Sequence, residues 1–381
     1  MIRKSYLLSP GPTPVPEKVL AAASEPVLHH RTPEFSEVFL EVSEDLKYVF
    51  QTKNNVYILA SSGTGAMEAA VVNTLSPGDK VITINGGKFG ERWGNIGRAY
   101  SLNVHEIKLE WGEPFTGEQL SAELKKNPGV KAVFAVLSET SSGSVYDIKS
   151  YGEVTSKTSA ILVVDAVSGM AAVPCPMDEW KIDVLVSCSQ KAFMTPPGLA
   201  YISLGEKAWK MYETSKLPKF YFDLKKYKKN LEKATVPWTP AVSLIMQQKK
   251  SLKMIKSAGL ENVHEHHRIM AEAVRAGVKA LGLKLFSKCP GNVVTAIKVP
   301  EGIDGKKLVK VMQNKYGSYI AGGQDPYAGK LFRIAHLGYM GAFDMITALS
   351  ALEMTLSELG YLLEPGISVA EAEKVIKENW K

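Results

Sequence analysis

Cysteine is scarce in this chain of 381 residues, and the three present, Cys175, Cys188 and Cys289, lack the close spacing of metal-ligand motifs. So few cysteines do not suggest a disulfide framework, and we expect free thiols in a reducing compartment. Long apolar runs are also missing: no stretch could span a bilayer, and the basic N-terminal segment lacks the apolar core of a secretory signal. We therefore expect a cytoplasmic protein that is not inserted in a membrane.

Common nucleotide-binding and metal-binding motifs are absent as well. The segment SSGTG (residues 61–65) is completed neither to a Walker A loop nor to a dinucleotide fingerprint. The net charge of +7 is partly concentrated between Lys225 and Lys233, with no nucleic-acid-binding motif nearby, so we interpret this run as a solvated face and expect no nucleic acid partner. His264 and His267 share a helix face without a third ligand, so we expect a solvated helix and no metal site.

Hydrophobic residues make up 45% of the sequence, which is enough for a full core. Short β-branched runs alternate with amphipathic stretches to about Gly205, and this alternation predicts an α/β fold with a mainly parallel sheet. After about Gly259 the pattern becomes that of a compact α+β unit. We therefore predict an N-terminal arm (residues 1–20), a large domain (21–260) and a smaller C-terminal domain (261–381).

Two residues that can carry charge each follow a buried strand. The run AILVVD ends at Asp165, and the run IDVLVSCSQ is followed by Lys191. Because ligands of open α/β sheets bind beyond the carboxyl ends of the strands, this acid and this lysine would face one crevice. A carboxylate that keeps a pyridine nitrogen protonated and a lysine that forms a Schiff base are what pyridoxal phosphate requires. Singly, Asp165 could be a helix N-cap and Lys191 a solvated lysine, but the pair favours the cofactor.

Other candidate side chains follow neighbouring strand ends. Gly63 and Gly65 lie in a strand–turn–helix segment whose backbone N–H groups could bind an anion. Phe89 stands among glycines beyond the next strand, where it could stack on a flat heterocycle or simply belong to the core. Thr140 supplies a hydroxyl at the end of a later strand.

The segments SSGTG, GGKFG, SETSSG, DAVSG and SQKAFMTPPG together resemble those of the class V pyridoxal phosphate-dependent aminotransferases, of the alanine–glyoxylate and serine–pyruvate type. The resemblance extends over nearly the whole chain, from LSPGPTPVP to FRIAHLG. It implies the pyridoxal phosphate transferase fold type I, with Lys191 and Asp165 as the catalytic pair. It further implies that the cofactor contacts Ser62, Gly63, Thr64, Phe89, Thr140, Asp165, Val167, Gln190, Lys191 and Thr239, and that the substrate contacts Gly11 and Arg333.

The resemblance also implies specific roles for these residues. A partly desolvated Lys191 would act as nucleophile and then move a proton between the substrate Cα and C4′ of the cofactor. Arg333 would bind the substrate carboxylate through a two-pronged hydrogen bond that lysine could not reproduce. Gly11 would line the substrate pocket, where the absence of a side chain suits small substrates. Thr239 would reach the cofactor phosphate of a neighbouring subunit, so we expect a homodimer.

The function that this resemblance implies is transamination of small amino acids. Alanine or serine would donate the amino group to glyoxylate or pyruvate in a ping-pong cycle through pyridoxamine phosphate. One alternative is a related class V enzyme, either a phosphonopyruvate-type aminotransferase or a desulfurase or lyase, although a desulfurase needs a mobile cysteine and the three cysteines lie in or beside strands. A non-enzymatic, basic nucleic-acid-binding protein is a third hypothesis, which the sequence disfavours.

Overall fold

Strands and helices alternate along most of the computed structural model, which describes residues 4–379. The strands are β1 (Tyr6–Leu7), β2 (Val56–Ala60), β3 (Lys80–Asn85), β4 (Asn103–Lys108), β5 (Ala132–Val136), β6 (Ser138–Glu139), β7 (Ser144–Val145), β8 (Ile161–Asp165), β9 (Val184–Cys188), β10 (Leu199–Leu204), β11 (Val294–Lys298), β12 (Ser318–Tyr319), β13 (Ala321–Gly322) and β14 (Leu331–Ala335). The helices are α1 (Glu17–Ala21), α2 (Pro33–Phe50), α3 (Gly63–Thr74), α4 (Lys88–Ala99), α5 (Gly117–Lys126), α6 (Ile148–Thr155), α7 (Glu206–Tyr212), α8 (Leu224–Leu231), α9 (Val242–Ala258), α10 (Leu260–Ala280), α11 (Gly305–Asn314), α12 (Ala342–Glu358) and α13 (Ile367–Asn379).

The central sheet has seven strands in the order β2-β10-β9-β8-β5-β3-β4. The pairs β9–β8, β8–β5, β5–β3 and β3–β4 are parallel, whereas β10 is antiparallel to both of its neighbours. The predicted α/β fold with a mainly parallel sheet is therefore confirmed. Because parallel strands end at the same edge, the residues that follow β5, β8 and β9 meet there.

Both faces of the sheet are covered by helices, which explains why its central strands are apolar throughout. Leu162 and Val164 of β8 belong to a buried cluster that includes residues of α2 and α9. The alternate residues Ile161 and Val163 point to the other face and join a cluster with residues of α3 and α4. The sheet edge that carries Asp165 is therefore held rigidly from two sides.

The C-terminal part of the chain forms a second, smaller unit. Its antiparallel sheet, β11-β14-β13, packs with α10, α11, α12 and α13 around a core of its own, which also includes Leu8 from the arm. Gly259, with φ +80°, separates α9 from α10, close to the predicted boundary. The division into residues 1–20, 21–260 and 261–381 stays a prediction, and residues 1–3 and 380–381 lie outside the described residues.

The arm is bound to both units and does not project from the surface. Strand β1 pairs in parallel with β12, and the backbone N–H of Ala335 donates to the carbonyl of Leu8 at 2.9 Å. Further along, the N–H of Thr13 donates to the carbonyl of Gln190 at 3.2 Å. The arm therefore connects the end of β14 to the turn that follows β9.

The predicted solvated helix face at His264 and His267 is wrong for His267, which is buried. Its Nε2 accepts from the backbone N–H of Gly338 at 3.0 Å, and its Nδ1 donates to the carbonyl of Val263 at 2.7 Å. Burial lowers the pKa of His267 to about 3. The neutral ring thus ties α10 to the loop after β14.

None of the helices in residues 4–379 combines the length and the apolar character needed to cross a bilayer.

Substituting Gly277 tests the packing of the smaller unit. A Cβ at Gly277 in α10 would lie 2.7 Å from Leu349 Cδ1 and 2.7 Å from the carbonyl oxygen of Ser368. We expect Gly277→Ala to lower the free energy of unfolding by about 1–3 kcal/mol, because overpacking outweighs the better helix propensity of alanine. Urea unfolding measures the change.

Gly94→Ala is the matched control on another buried helix. The three atoms nearest to a Cβ there belong to the guanidinium of Arg98, the closest at 3.1 Å, and this flexible side chain can move away. This variant should be as stable as the parent protein or slightly more stable. Equal stabilities of the two variants would contradict the proposed packing constraint.

Candidate active site

A cavity of about 260 Å³ opens at the sheet edge where β8 and β9 end. It is lined by Gly11, Pro12, Ser62, Gly63, Thr64, Met67, Phe89, Arg92, Asp165, Val167, Gln190, Lys191 and Pro197. Nine of the twelve residues that the sequence singled out lie in this lining. The fold therefore brings together residues from the arm, α3, α4, the end of β8 and the turn after β9.

Lys191 and Asp165 are both buried in this cavity, and burial disfavours the charged form of each. Desolvation lowers the pKa of Lys191, and the nearby carboxylate of Asp165 opposes this effect only in part. The Lys191 Nζ donates to the carbonyl oxygen of Pro10 in the arm. Burial raises the pKa of Asp165 to about 6, while its Oδ1 accepts from the N–H of Val167 at 2.8 Å. The cavity thus presents an amine and a carboxyl group that both lack full solvation.

The arm passes so close to the lysine that its sequence is constrained. Gly11 has φ +138°, a conformation that L side chains rarely adopt, and a Cβ there would overlap the side chain of Lys191. The hydroxyl of Thr13 donates to the carbonyl of Lys191 at 2.9 Å. The arm thus positions Lys191 through both its side chain and its backbone.

The first turn of α3 forms the opposite wall. Its N-cap residue, Ser62, makes no side-chain capping bond, which leaves leading N–H groups of the helix available to an anion. A Cβ at Gly63 would lie 2.7 Å from Val167 Cγ2, so only glycine lets α3 approach β8 this closely. Gln190 Oε1 is buried without a hydrogen-bond partner. The free N–H groups at the start of α3 fit a ligand that carries an anionic group at the helix terminus.

Phe89 lies in the first turn of α4, a helix that the sequence analysis did not assign. The N-cap of α4, Gly87, has no side chain, and a distant carboxylate takes its place. Glu139 Oε2 accepts from the N–H groups of Phe89 and Gly90, both at 3.0 Å. The hydroxyl of Ser141 donates to Glu139 Oε1 and accepts from the N–H of Lys88 at 3.0 Å. Glu139 thereby fixes the backbone that presents Phe89 to the cavity.

Three predicted site residues do not line the cavity. Arg333 Nη1 donates to the carbonyl of Thr140 at 2.7 Å, and Arg333 Nη2 donates to the carbonyl of Gly322 at 2.7 Å. Burial lowers the pKa of Arg333 to about 10, although the charge of Glu139 opposes this shift. Thr239 is exposed, away from the cavity of its own chain. The roles predicted for Thr140, Arg333 and Thr239 therefore stay predictions.

Sequence reasoning missed Arg92 and Glu139. Arg92 follows Phe89 by three residues, a spacing that places both on one face of a helix, but this signal is useful only once α4 is recognised. Glu139 lies in β6, just after β5, and its hydrogen bond to α4 joins residues 50 positions apart, which no local pattern reveals. In the described residues, no group of three or more His, Cys, Asp or Glu side chains could hold a metal ion.

Comparison with known proteins adds a family to this geometry. Residues 5–329 match the family model described as aminotransferase class-V. The chain is 43% identical to the soluble hydrogenase small subunit of Synechococcus sp., over 98% of both chains. It is 35% identical to L-aspartate–glyoxylate aminotransferase of Paracoccus denitrificans, over 100% of this chain and 98% of the relative. The crystal structure of ureidoglycine–glyoxylate aminotransferase from Bacillus subtilis matches with a TM-score of 0.95 and 31% identity, covering 99% of each chain.

The buried carboxyl group of Asp165 should destabilise the ligand-free protein near neutral pH. Its pKa rises from 3.8 to about 6 on folding, so the folded state binds the proton more tightly and stability falls as the pH rises through this window. We expect Asp165→Asn to raise the free energy of unfolding by about 2–3 kcal/mol at pH 7, and by almost nothing at about pH 3. The amide can still accept from Val167. Urea unfolding at both pH values measures the difference.

Asp147→Asn is the control, because Asp147 is an exposed N-cap of α6 and asparagine caps helices about equally well. No gain that depends on pH is expected for this variant. A gain for Asp165→Asn of the same size at both pH values would show that burial of the carboxylate charge is not its cause.

Proposed function

The chain belongs to the class-V aminotransferases, and we propose that its cavity binds pyridoxal phosphate and transfers amino groups between small amino acids and 2-oxo acids. Alanine or serine is the proposed donor, and glyoxylate or pyruvate the proposed acceptor. The observation that carries the proposal is the pair of Lys191 and Asp165, both buried in one cavity at the carboxyl ends of adjacent parallel strands. Membership of this family and the glyoxylate aminotransferase among the relatives support the proposal.

The residues of the cavity fit this cofactor. Gly11 and Gly63 keep side chains out of the space between the arm, α3 and β8, Phe89 offers an aromatic face, and the start of α3 offers free N–H groups to a phosphate. When bound, pyridoxal phosphate supplies an aldehyde that amines can attack and a pyridine ring that withdraws electrons when it is protonated. Asp165 would hold the proton on the ring nitrogen, because a carboxylate in this buried site gains most from a cationic partner.

Lys191 would serve as nucleophile and as proton carrier. A lowered pKa leaves more of its amine unprotonated, which is the form that attacks a carbonyl carbon. Once released by the incoming amino acid, the Nζ would take the proton from the substrate Cα and deliver it to C4′ of the cofactor. The carbonyl of Pro10 would orient the Nζ between these positions.

Arg333 would bind the carboxylate of the substrate. Its guanidinium is already fixed by hydrogen bonds to the carbonyls of Thr140 and Gly322. Binding of a carboxylate to its remaining N–H groups would therefore cost little side-chain entropy. Gly11 and the tight passage of the arm over Lys191 favour substrates with small side chains.

We also propose that the active form is a homodimer with shared sites. Thr239 is exposed next to an aromatic patch, Phe220, Tyr221 and Trp238, of which Phe220 is 71% exposed. The neighbouring Phe222 lies beside α3, 3.1 Å from the position of a Cβ at Gly65, so the patch is adjacent to the anion-binding end of the cavity. A second subunit that covers this patch would bring its site close to Thr239. Sedimentation equilibrium decides the point, and the mass of a single chain would exclude it.

Two other functions receive less support. A desulfurase needs a reactive cysteine at the site, but Cys175 and Cys188 are buried, burial raises the pKa of both thiols, and no cysteine lines the cavity. The name of the Synechococcus relative suggests a hydrogenase, yet nothing in residues 4–379 favours a metal-dependent redox function.

Lys191 provides the direct test of the proposed function. The purified protein should be yellow, and borohydride reduction should leave the cofactor covalently attached to Lys191, as peptide mapping by mass spectrometry would show. Lys191→Ala should lose multiple turnover in an alanine–glyoxylate assay, because it removes both the nucleophile and the proton carrier. Lys207→Ala is the control: burial lowers the pKa of Lys207 too, but this lysine bonds to the carbonyls of Thr155 and Ala160, far from the cavity lining. Substantial multiple turnover by Lys191→Ala would contradict the proposed function.

Arg333→Lys separates the charge of the arginine from its forked geometry. We expect KM for the amino acid and the oxo acid to rise about 10- to 100-fold, with a smaller effect on kcat, because about one charge-assisted hydrogen bond is lost. Arg275→Lys is the control, since Arg275 is another largely buried arginine of the smaller unit and donates to Asn292 Oδ1 at 3.1 Å. Unchanged KM values in Arg333→Lys would remove Arg333 from the substrate site.

A further inference from the structure

We propose that Arg92 binds the phosphate group of the cofactor and makes the site selective for the phosphorylated form. The inference rests on the proposed function, because it assumes that pyridoxal phosphate enters this cavity. The inference extends the proposed function by assigning a role to Arg92, a residue that the sequence analysis did not single out.

The position of Arg92 is the first argument. Its side chain lines the cavity, and Nη1 donates to the hydroxyl of Thr64 at 3.1 Å, in the first turn of α3. The Cζ atom lies 4.8 Å from the ring centroid of Phe89. The guanidinium therefore lies between the uncapped start of α3 and the aromatic side chain that is proposed to stack on the cofactor ring.

The charges around the cavity give the second argument. Arg92 and Lys191 carry the cationic groups of the lining. The Lys191 amine donates a hydrogen bond to the carbonyl of Pro10, and in the proposed function it reacts at the aldehyde of the cofactor, not at its phosphate. Within residues 4–379, the guanidinium of Arg92 forms one hydrogen bond to protein, that to Thr64, lies over the ring of Phe89, and forms no ion pair with a carboxylate. Most of its donors are thus available to a ligand.

The chemistry of phosphate fits these free donors. A phosphate carries up to two negative charges, and the partial positive charge of a helix N-terminus balances only part of them. A guanidinium adds a full charge and two parallel donors that match two phosphate oxygens. Arg92 already contacts Thr64 of α3, so one anion can bind the helix terminus and the arginine together.

A carboxylate on the substrate side chain is the competing partner for Arg92. The geometry favours phosphate. Arg333, which is proposed to bind the substrate, donates hydrogen bonds to the carbonyls of Thr140 and Gly322, whereas Arg92 donates to Thr64 at the start of α3, where the phosphate is expected. A dicarboxylic amino acid would need Arg92 to turn away from the helix terminus. The two roles predict different effects of the same substitution.

The test compares the affinity for pyridoxal phosphate with that for pyridoxal, which lacks the phosphate. Both dissociation constants are measured on cofactor-stripped protein by absorbance titration, with no substrate present. We expect Arg92→Gln to weaken binding of pyridoxal phosphate about 10- to 100-fold and to change pyridoxal binding little. Inorganic phosphate should compete with pyridoxal phosphate much less well in this variant than in the parent protein.

Two further variants make the comparison specific. Arg92→Lys keeps the charge but loses the fork, so its affinity for pyridoxal phosphate should lie between those of the parent and Arg92→Gln. Arg98→Gln, on the same helix, removes an arginine that pairs with Glu106 at the surface, and both affinities should be unchanged. Urea unfolding of each variant confirms that the comparison is made on folded protein.

Three outcomes would overturn the inference. Equal weakening of pyridoxal and pyridoxal phosphate would mean that Arg92 acts only through Phe89. Unchanged cofactor affinity with a raised KM for dicarboxylic amino acids would assign Arg92 to the substrate. Failure of the parent protein to bind either compound would refute the proposed function itself, a result distinct from any effect of Arg92.

Discussion

Removal of water from an amine and a carboxyl group in the same cavity is the constraint on which the site depends. Lys191 and Asp165 each keep one hydrogen bond to the backbone, to the carbonyl of Pro10 and from the N–H of Val167. Neither bond replaces full solvation, so burial shifts both groups towards their neutral forms. A ligand with a basic ring nitrogen and an electrophilic carbon satisfies both groups, and the rigid sheet between α3 and α9 prevents them from escaping to water.

A second buried charge organises the surroundings of this pair. Glu139 accepts from the start of α4, which carries Phe89 and Arg92, and its negative charge favours the cationic form of Arg333. The carbonyl of the next residue, Thr140, accepts from the same arginine. The short segment after β5 therefore connects the aromatic wall of the cavity to the proposed substrate-binding group. Because Glu139 is fully buried, its four hydrogen bonds are needed to offset the cost of desolvation.

Local patterns were sufficient to predict the parts of the fold that lie close in sequence. The apolar runs that end at Asp165 and precede Lys191 revealed two buried strands, and the glycines of SSGTG revealed the turn into α3. Features made by distant segments could not be predicted: the cap of α4 by Glu139, the bond between Arg92 and Thr64, and the burial of His267 against Gly338. Each joins residues whose proximity exists only after folding. Arg333 and Thr239 were identified by the family resemblance alone. No sequence periodicity reveals that they lie outside the cavity lining.

The route of the arm has a consequence for biosynthesis. Residues 6–13 leave the ribosome before their partners, which are the turn at Gln190 and Lys191 and the strands β12 and β14, have been translated. Nascent chains tend to fold domain by domain from the N-terminus. The arm therefore stays without its β-strand and turn partners until most of the polypeptide has been synthesised. Its prolines suit this delay, because each proline lacks a backbone N–H donor and therefore hinders premature pairing with other strands.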